Sequence, residues 1–350
     1  PWYSYHLDLK PGLAELCGAL EEEVTPMASL TQNLHFLLAN FYRPQGKRTK
    51  ILCEGSSFPS DFYMLDSQVR WHNLSPEQEI IELHPRKGET HLRTQDILNQ
   101  IEGLGEELAL VLMGGVNYLT GQRFQMQEIT EAGHRAGAIV GFDLAHAMGN
   151  VPLMLHDWKV DFAAWCTYKY LNSGPGATAG LFVHKKHHGN TPYRLEGWWS
   201  NKANNRFQME RKIDPEPSAD GWQLSNAPVM NMAAQRVSLA LFQEAGLENL
   251  HKKREALNLF LLENLEALKA LFPNEGLGTL TPNELNHRGC QTSLVCGEKG
   301  RALFEFLESN HVVADWRWPN VIRVAPVPLY NSFSDIWSFF DITQRFFVSS

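Results

Sequence analysis

The sequence predicts an α/β protein: a mostly parallel sheet with helices on both faces, followed by a smaller α+β domain. Three observations lead there. Between residues 27 and 190, apolar runs of strand length alternate with stretches of helical periodicity, the pattern of crossover units in a parallel sheet. After residue 226 the texture changes to two long helical patterns and then a few short strands. A chain of 350 residues also has volume for more than one packed core.

From the N-terminus, Leu34, Leu37, Leu38 and Phe41 share one helical face behind the candidate caps Ser29 and Thr31. Ile51-Leu52-Cys53 reads as a short strand, a helical pattern starts at Asp61, and Ile80-Ile81-Glu82-Leu83 reads as another strand. Residues 108–116 are apolar and strand-like, 125–136 helical and 138–142 a strand. Residues 160–165 and 180–183 read as buried strands, and the polar, Asn/Pro-rich stretch 202–221 as a loop. Helical patterns over 230–244 and 250–271 precede strands near 291–295, 312–316 and 321–324, and a helix from Ser334 closes the chain. The expected division is an N-terminal helical piece over 1–26, a large domain over 27–225 and a small domain over 226–350.

A formal net charge of −8 excludes nucleic acid and anionic membrane as main partners, because both demand a basic face. No apolar run is long enough to span a bilayer. Cys17, Cys53, Cys166, Cys290 and Cys296 are scattered without metal or redox spacing. They read as buried thiols of a cytoplasmic protein. The tryptophans at 71, 158, 165, 222, 316, 318 and 337 read as core or interface aromatics. His184-Lys185-Lys186-His187-His188 invites a metal reading, but no acid or cysteine flanks it, and a solvated loop after the strand is the simpler expectation.

In parallel sheets, ligand groups gather beyond the carboxyl ends of the strands, and three features lie at strand or helix ends. Asp143 closes an apolar strand; it either caps the next segment or pairs with a cation, since a buried carboxylate needs compensation. Lys169 follows the strand Phe162-Ala163-Ala164-Trp165 and precedes a Gly-rich turn. It is either a surface loop lysine or an amine placed to form a Schiff base. Ser29-Leu30-Thr31 opens a helix, which either is ordinarily capped or offers its first N–H groups to a phosphate. Together the three describe an electron-sink cofactor: lysine for an aldehyde, aspartate for a pyridinium nitrogen, a helix start for a phosphate.

The stretches Gly141-Phe-Asp-Leu-Ala-His-Ala-Met-Gly-Asn150, Trp165-Cys-Thr-Tyr-Lys-Tyr-Leu-Asn172 and Ile322-Arg-Val-Ala-Pro-Val-Pro-Leu-Tyr-Asn-Ser-Phe333 resemble the kynureninase family. Ser57-Phe-Pro-Ser-Asp61 and Arg288-Gly-Cys-Gln291 match it as well, so the resemblance runs through essentially the whole chain. It implies a fold-type I pyridoxal-phosphate enzyme with a seven-stranded sheet. It further implies hydrolysis of L-kynurenine or 3-hydroxy-L-kynurenine to anthranilate or 3-hydroxyanthranilate plus L-alanine.

Position by position, the resemblance implies that Lys169 carries pyridoxal phosphate as a Schiff base and moves protons at the substrate. Asp143 pairs with the ring nitrogen, Asp61 is a second carboxylate there, and His146 lies beside cofactor and substrate. Phe58 stacks on the ring. Leu30, Thr31 and Tyr168 reach the phosphate, and Tyr168 is also the proton donor to the departing carbon. Arg323 grips the substrate α-carboxylate as a planar fork. Trp198 and Asn226 complete the site of a neighbouring subunit, which implies a homodimer with composite sites, and Asn226 favours the hydroxylated substrate. A phosphate-region position that is Ser or Thr in the family is Gly114 here. Family members also carry a further segment before the equivalent of Pro1. Two rivals follow from the same residues. One is a cysteine desulfurase with Cys290 as nucleophile, although that family's lysine follows a histidine where this chain has Tyr168. The other is a catalytically silent binding protein that keeps the cofactor motifs.

Overall fold

In the computed structural model, which describes residues 2–189 and 192–349, the chain enters through helix α1 (Lys10–Cys17), strand β1 (Val24–Pro26) and helix α2 (Leu30–Phe41). It continues as β2 (Lys50–Glu54), α3 (Pro59–Trp71), the one-turn α4 (Pro76–Glu79), β3 (Ile80–Leu83), α5 (Thr94–Leu104) and β4 (Leu108–Gly114). Then come α6 (Met126–Arg135), β5 (Ile139–Asp143), β6 (Phe162–Trp165) and β7 (Gly180–Val183). The seven strands form one sheet in the order β1-β7-β6-β5-β4-β2-β3. The pairs from β3 to β6 are parallel, while β7 runs antiparallel to β6 and β1 antiparallel to β7. The sheet is thus mostly parallel, as predicted.

Local chemistry explains the elements that place the site. Ser29 is extended (φ −121°, ψ 166°) and starts α2, with its N–H donated to Gln32 Oε1 at 3.1 Å, a capping box. The buried face of α2 includes Leu34, Leu37, Leu38 and Phe41, at the predicted spacing. Phe41 stacks on Phe162 of β6 with centroids 4.9 Å apart; burying such a ring stabilises by about 1.5–3 kcal/mol. A Cβ on Gly141 would stand 2.2 Å from the Phe162 ring, so glycine is what lets that ring lie over β5.

Contacts divide the chain into two units. The larger takes the chain up to His84 with Leu92–Gly115 and Phe124–Glu244; the smaller takes Pro85–His91, Val116–Arg123 and the chain from Ala245. The smaller unit holds α8 (Leu247–Leu271), β8 (Leu277–Thr279), β9 (Thr292–Cys296), α9 (Gly300–Ser309), β10 (Asp315–Arg317), β11 (Val321–Val324) and α10 (Phe333–Ser349). Its strands form an antiparallel sheet in the order β10-β11-β9-β8. Leu257, Leu261, Leu265 and Leu268 of α8 form its core with Leu303, Leu307, Ile336 and Phe339, the stripe that helical periodicity requires.

Several expectations are corrected. Residues 1–26 are not a separate helical piece, because β1 pairs with β7 at the edge of the large sheet. Helix α7 (Val229–Ala245) groups with the large unit up to Glu244. Its Ser238 hydroxyl donates to Leu171 O and its Leu239 lies against Gly12, so the units divide at Ala245 rather than at residue 226. The strand expected at 312–316 lies at Asp315–Arg317, since only those residues pair with β11. Trp165 and Trp222 are core, but Trp71, Trp318 and Trp337 are exposed. Among the described residues, no helix is long and apolar enough to cross a membrane.

Candidate functional site

Asp143 ends β5 and is buried, with its Oδ1 accepting the Ala145 N–H at 2.7 Å. Asp61, in the first turn of α3, hydrogen-bonds to it. Burial pushes the pKa of Asp143 up, opposed by the Ala145 N–H and by the charge of Lys169. Asp61 is pushed well above the ordinary carboxylate value by burial and by the charges of Asp143 and Glu54, against the pull of Lys169. A cation beside the pair favours its ionised form.

Lys169 stands on the turn after β6. That turn needs left-handed backbone at Asn172, Gly174 and Gly176 (φ 55°, 82° and 73°), which these residue types tolerate. Ser173 N–H donates to Thr167 O at 3.0 Å, and the Thr167 hydroxyl to Thr178 O at 2.8 Å, closing the turn at its base. The amine is half-buried, with Nζ 3.2 Å from His146 Nε2 and 5.9 Å from the centre of the Phe58 ring. Phe58 is the N-cap of α3 and is 46% exposed.

Tyr168 is 51% exposed, and its hydroxyl hydrogen-bonds with the Cys166 thiol. Burial of the hydroxyl, followed by the interaction with Cys166, pushes its pKa up to about 12, which keeps it a neutral phenol. Thr31 Oγ1 lies 2.9 Å from Ser60 Oγ, so the starts of α2 and α3 meet at a pair of hydroxyls. Gly114 gives its N–H to Glu54 Oε1 at 3.0 Å.

The donor set suits pyridoxal phosphate. A buried carboxylate pair with raised pKa values fits a protonated ring nitrogen, an amine fits an aldehyde, and converging helix starts fit a phosphate. The structure brings together Lys169, His146, Asp143, Asp61 and Phe58, all expected from the sequence, and adds Glu54, Cys166 and Ser60, which the sequence does not single out. Glu54 ends β2, so the strand-end rule that singled out Asp143 also applied to it.

Trp198, 45% exposed, donates its indole N–H to Arg206 O at 2.8 Å and meets Trp199 and Phe207 edge-on. Asn226 is exposed. Among the described residues, neither shares a hydrogen bond or ring contact with Lys169. Arg323, in the smaller unit, donates Nε to Asp315 Oδ2 at 2.6 Å and Nη1 to Tyr118 O.

The histidine-rich stretch 184–188 is not a solvated loop. His184 and His188 are buried, and the segment closes over two buried acids distant in sequence. Glu23 accepts from Leu20 N–H, Lys185 N–H and His156 Nδ1 at 2.9–3.0 Å. Asp161 bonds His134 and His187, each at 2.8 Å, and Lys186 at 2.6 Å. Although Glu23, His156 and His184 are close enough to share an ion, His184 Nδ1 already accepts the Lys186 N–H at 3.1 Å. The cluster is a hydrogen-bonded clasp.

Residues 14–288 match the family profile described as aminotransferase class-V, and residues 250–343 that of the kynureninase C-terminal domain. The kynureninase of Flavobacterium psychrophilum is 51% identical over 99% of this chain and 81% of its own length. That of Salinispora tropica is 48% identical over 96% and 79%. Among solved structures, a cysteine desulfurase from Thermococcus onnurineus superposes with a TM-score of 0.79 at 14% identity, covering 99% of this chain and 84% of its own. An alanine–glyoxylate aminotransferase from Nostoc gives 0.70 at 16% identity, covering 98% and 86%. At such identities the structural likeness shows the fold alone.

Proposed function

The chain belongs to the kynureninase family, and from that premise we propose that it hydrolyses L-kynurenine to anthranilate and L-alanine with pyridoxal phosphate held at Lys169. The observation that carries this reading is the meeting of Lys169, His146, Asp143 and Asp61 beyond the ends of parallel strands. When bound, pyridoxal phosphate supplies an electron sink for the pair released at the substrate α-carbon.

Each residue then has a task that its surroundings allow. Asp143, with Asp61 behind it, balances positive charge at the ring nitrogen and is itself relieved of an unfavourable burial. Lys169 Nζ takes the proton from the substrate α-carbon, and His146 Nε2 at 3.2 Å is the group that shares it. Phe58 offers a flat apolar face to the ring. Thr31 and the Leu30 N–H hold phosphate at the start of α2, joined by Ser60. Tyr168, a neutral phenol at physiological pH, gives a proton to the substrate β-carbon as its bond to the water-attacked γ-carbonyl carbon breaks. Arg323 takes the α-carboxylate through its N–H fork.

The exposed Trp198 and Asn226 support a homodimer in which each lends these side chains to its partner's site. An amide at Asn226 would also meet a 3-hydroxyl on the substrate ring, which favours 3-hydroxy-L-kynurenine. The five buried free thiols suit a reducing, cytoplasmic setting.

A desulfurase would need a thiolate at Cys290. Burial pushes that thiol's pKa up to about 12, so it stays protonated and unreactive. Borohydride reduction of the holoenzyme followed by peptide mapping tests the central assignment. The pyridoxyl label is expected on Lys169, and a label on any other side chain overturns it. Steady-state comparison of the two kynurenines tests the substrate preference, and equal specificity constants sink the role given to Asn226.

A further inference from the structure

Arg323 sits on β11 directly across from Asp315 of β10 in antiparallel register. Its Nε and Nη2 both engage Asp315 Oδ2, and Nη1 donates to Tyr118 O. A guanidinium has five N–H groups. Three are thereby given to the protein, which leaves two without an acceptor among the described residues, one on each terminal nitrogen. The one left on Nη2 lies at the end of the guanidinium away from Nε, and with the one left on Nη1 it offers a carboxylate two donors. The side chain of Arg323 is only 12% exposed, so it has little freedom to turn.

Asp315 is itself held. Arg317 Nε reaches the same Oδ2 at 2.9 Å, so one carboxylate oxygen stands between two arginines. The second arginine matters because a lone carboxylate beside Arg323 could rival the substrate for it. With Arg317 sharing the charge, Asp315 fixes Arg323 without spending the whole of its attraction on it.

We propose that Asp315, backed by Arg317, is a positioning residue that locks Arg323 and leaves its two remaining N–H groups to receive the substrate α-carboxylate. This rests on the assignment of Arg323 to that carboxylate. Asp315 touches no reacting atom in this scheme and acts through Arg323. Its loss weakens binding of the ground state and transition state alike, which moves KM and leaves kcat.

The experiment is a double-mutant cycle on the holoenzyme, with a competitive inhibitor that lacks the α-carboxylate as internal control. Asp315→Ala is expected to raise KM about tenfold and leave kcat within about twofold. Asp315→Asn, which keeps the shape and an acceptor oxygen, is expected to raise KM about threefold and covers the case in which the alanine variant folds poorly. The inhibitor without the carboxylate should bind both variants as it binds the unaltered enzyme. Adding Asp315→Ala to Arg323→Ala should cost nothing further. The proposal is overturned if Asp315→Ala leaves KM unchanged or lowers it, if the control inhibitor weakens in parallel, or if the two alanine effects multiply. Should Arg323→Ala itself leave KM unchanged, the assignment of Arg323 fails, a separate result from any of these.

Discussion

The Nζ of Lys169 and the Nε2 of His146 meet at 3.2 Å. Of two nitrogens at that distance, one donates a hydrogen and the other accepts it. In the role proposed for Lys169, His146 is placed to share the proton taken from the substrate. Replacing it with phenylalanine keeps the ring and removes the acceptor. The expected result is a fall in kcat of about tenfold to a hundredfold, at the low end of what a positioned acid–base group supplies. The deuterium isotope effect at the substrate α-carbon should also grow. A variant with unaltered kcat and isotope effect would show that the imidazole is only a neighbour.

The hydroxyls of Thr31 and Ser60 meet at 2.9 Å, where the proposed function seats the phosphate. Each hydroxyl is expected to add roughly the 0.5–1.5 kcal/mol of one net hydrogen bond to cofactor affinity. Thr31→Ala and Ser60→Ala should each weaken pyridoxal phosphate by about twofold to tenfold, and the double variant by less than the product. Cofactor titration of the apoprotein measures both. Full multiplicativity would place the two hydroxyls at separate sites.

Sequence patterns showed the strand-end placement of Asp143 and Lys169, because a buried apolar strand followed by a charged residue is a local signal. The capping of α2 was equally local. Other features depend on residues far apart in the chain. The first strand, Val24–Pro26, is three residues long and contains a proline; only its pairing with β7 identifies it. In α5, Ile97 and Ile101 are the buried positions, too few for a helical stripe to stand out. Glu23 and Asp161 meet the histidine-rich stretch only after folding, and no spacing within 184–188 reports them. The Asp315–Arg323 pair likewise comes from the register of two short strands.

That clasp has a consequence for acid stability. Burial raises the Asp161 pKa, but hydrogen bonds from His134 and His187 and the charge of Lys186 outweigh it and hold the carboxyl well below its ordinary value. A carboxyl depressed in the folded state contributes stability that is complete above its unfolded pKa, near 3.9, and fades as pH falls toward the folded value. Glu23 is depressed in the same direction, its burial outweighed by the Leu20 and Lys185 N–H groups and by His156. Thermal melts should therefore show Tm falling below about pH 4. Asp161→Asn should lower Tm at neutral pH and flatten that acid slope. An unchanged slope in the variant would mean that other carboxylates govern the acid limb.

The exposed indole of Trp198 gives the composite-site dimer a direct test by complementation. Lys169→Ala removes the amine of a protomer's own site, whereas Trp198→Ala, if its side chain serves the partner, damages only the other site. In a mixed dimer, the protomer that keeps Lys169 borrows an intact Trp198 from its partner, and one whole site results. The second site then carries both defects. Random reassortment makes half of the dimers mixed, so mixing two inactive variants should restore about a quarter of the unaltered activity per protomer. Recovery should follow subunit exchange in time and disappear when exchange is blocked by cross-linking before mixing. If mixed dimers form, as shown by a size or affinity tag, and no activity returns, Trp198 serves its own protomer and the sites are not shared.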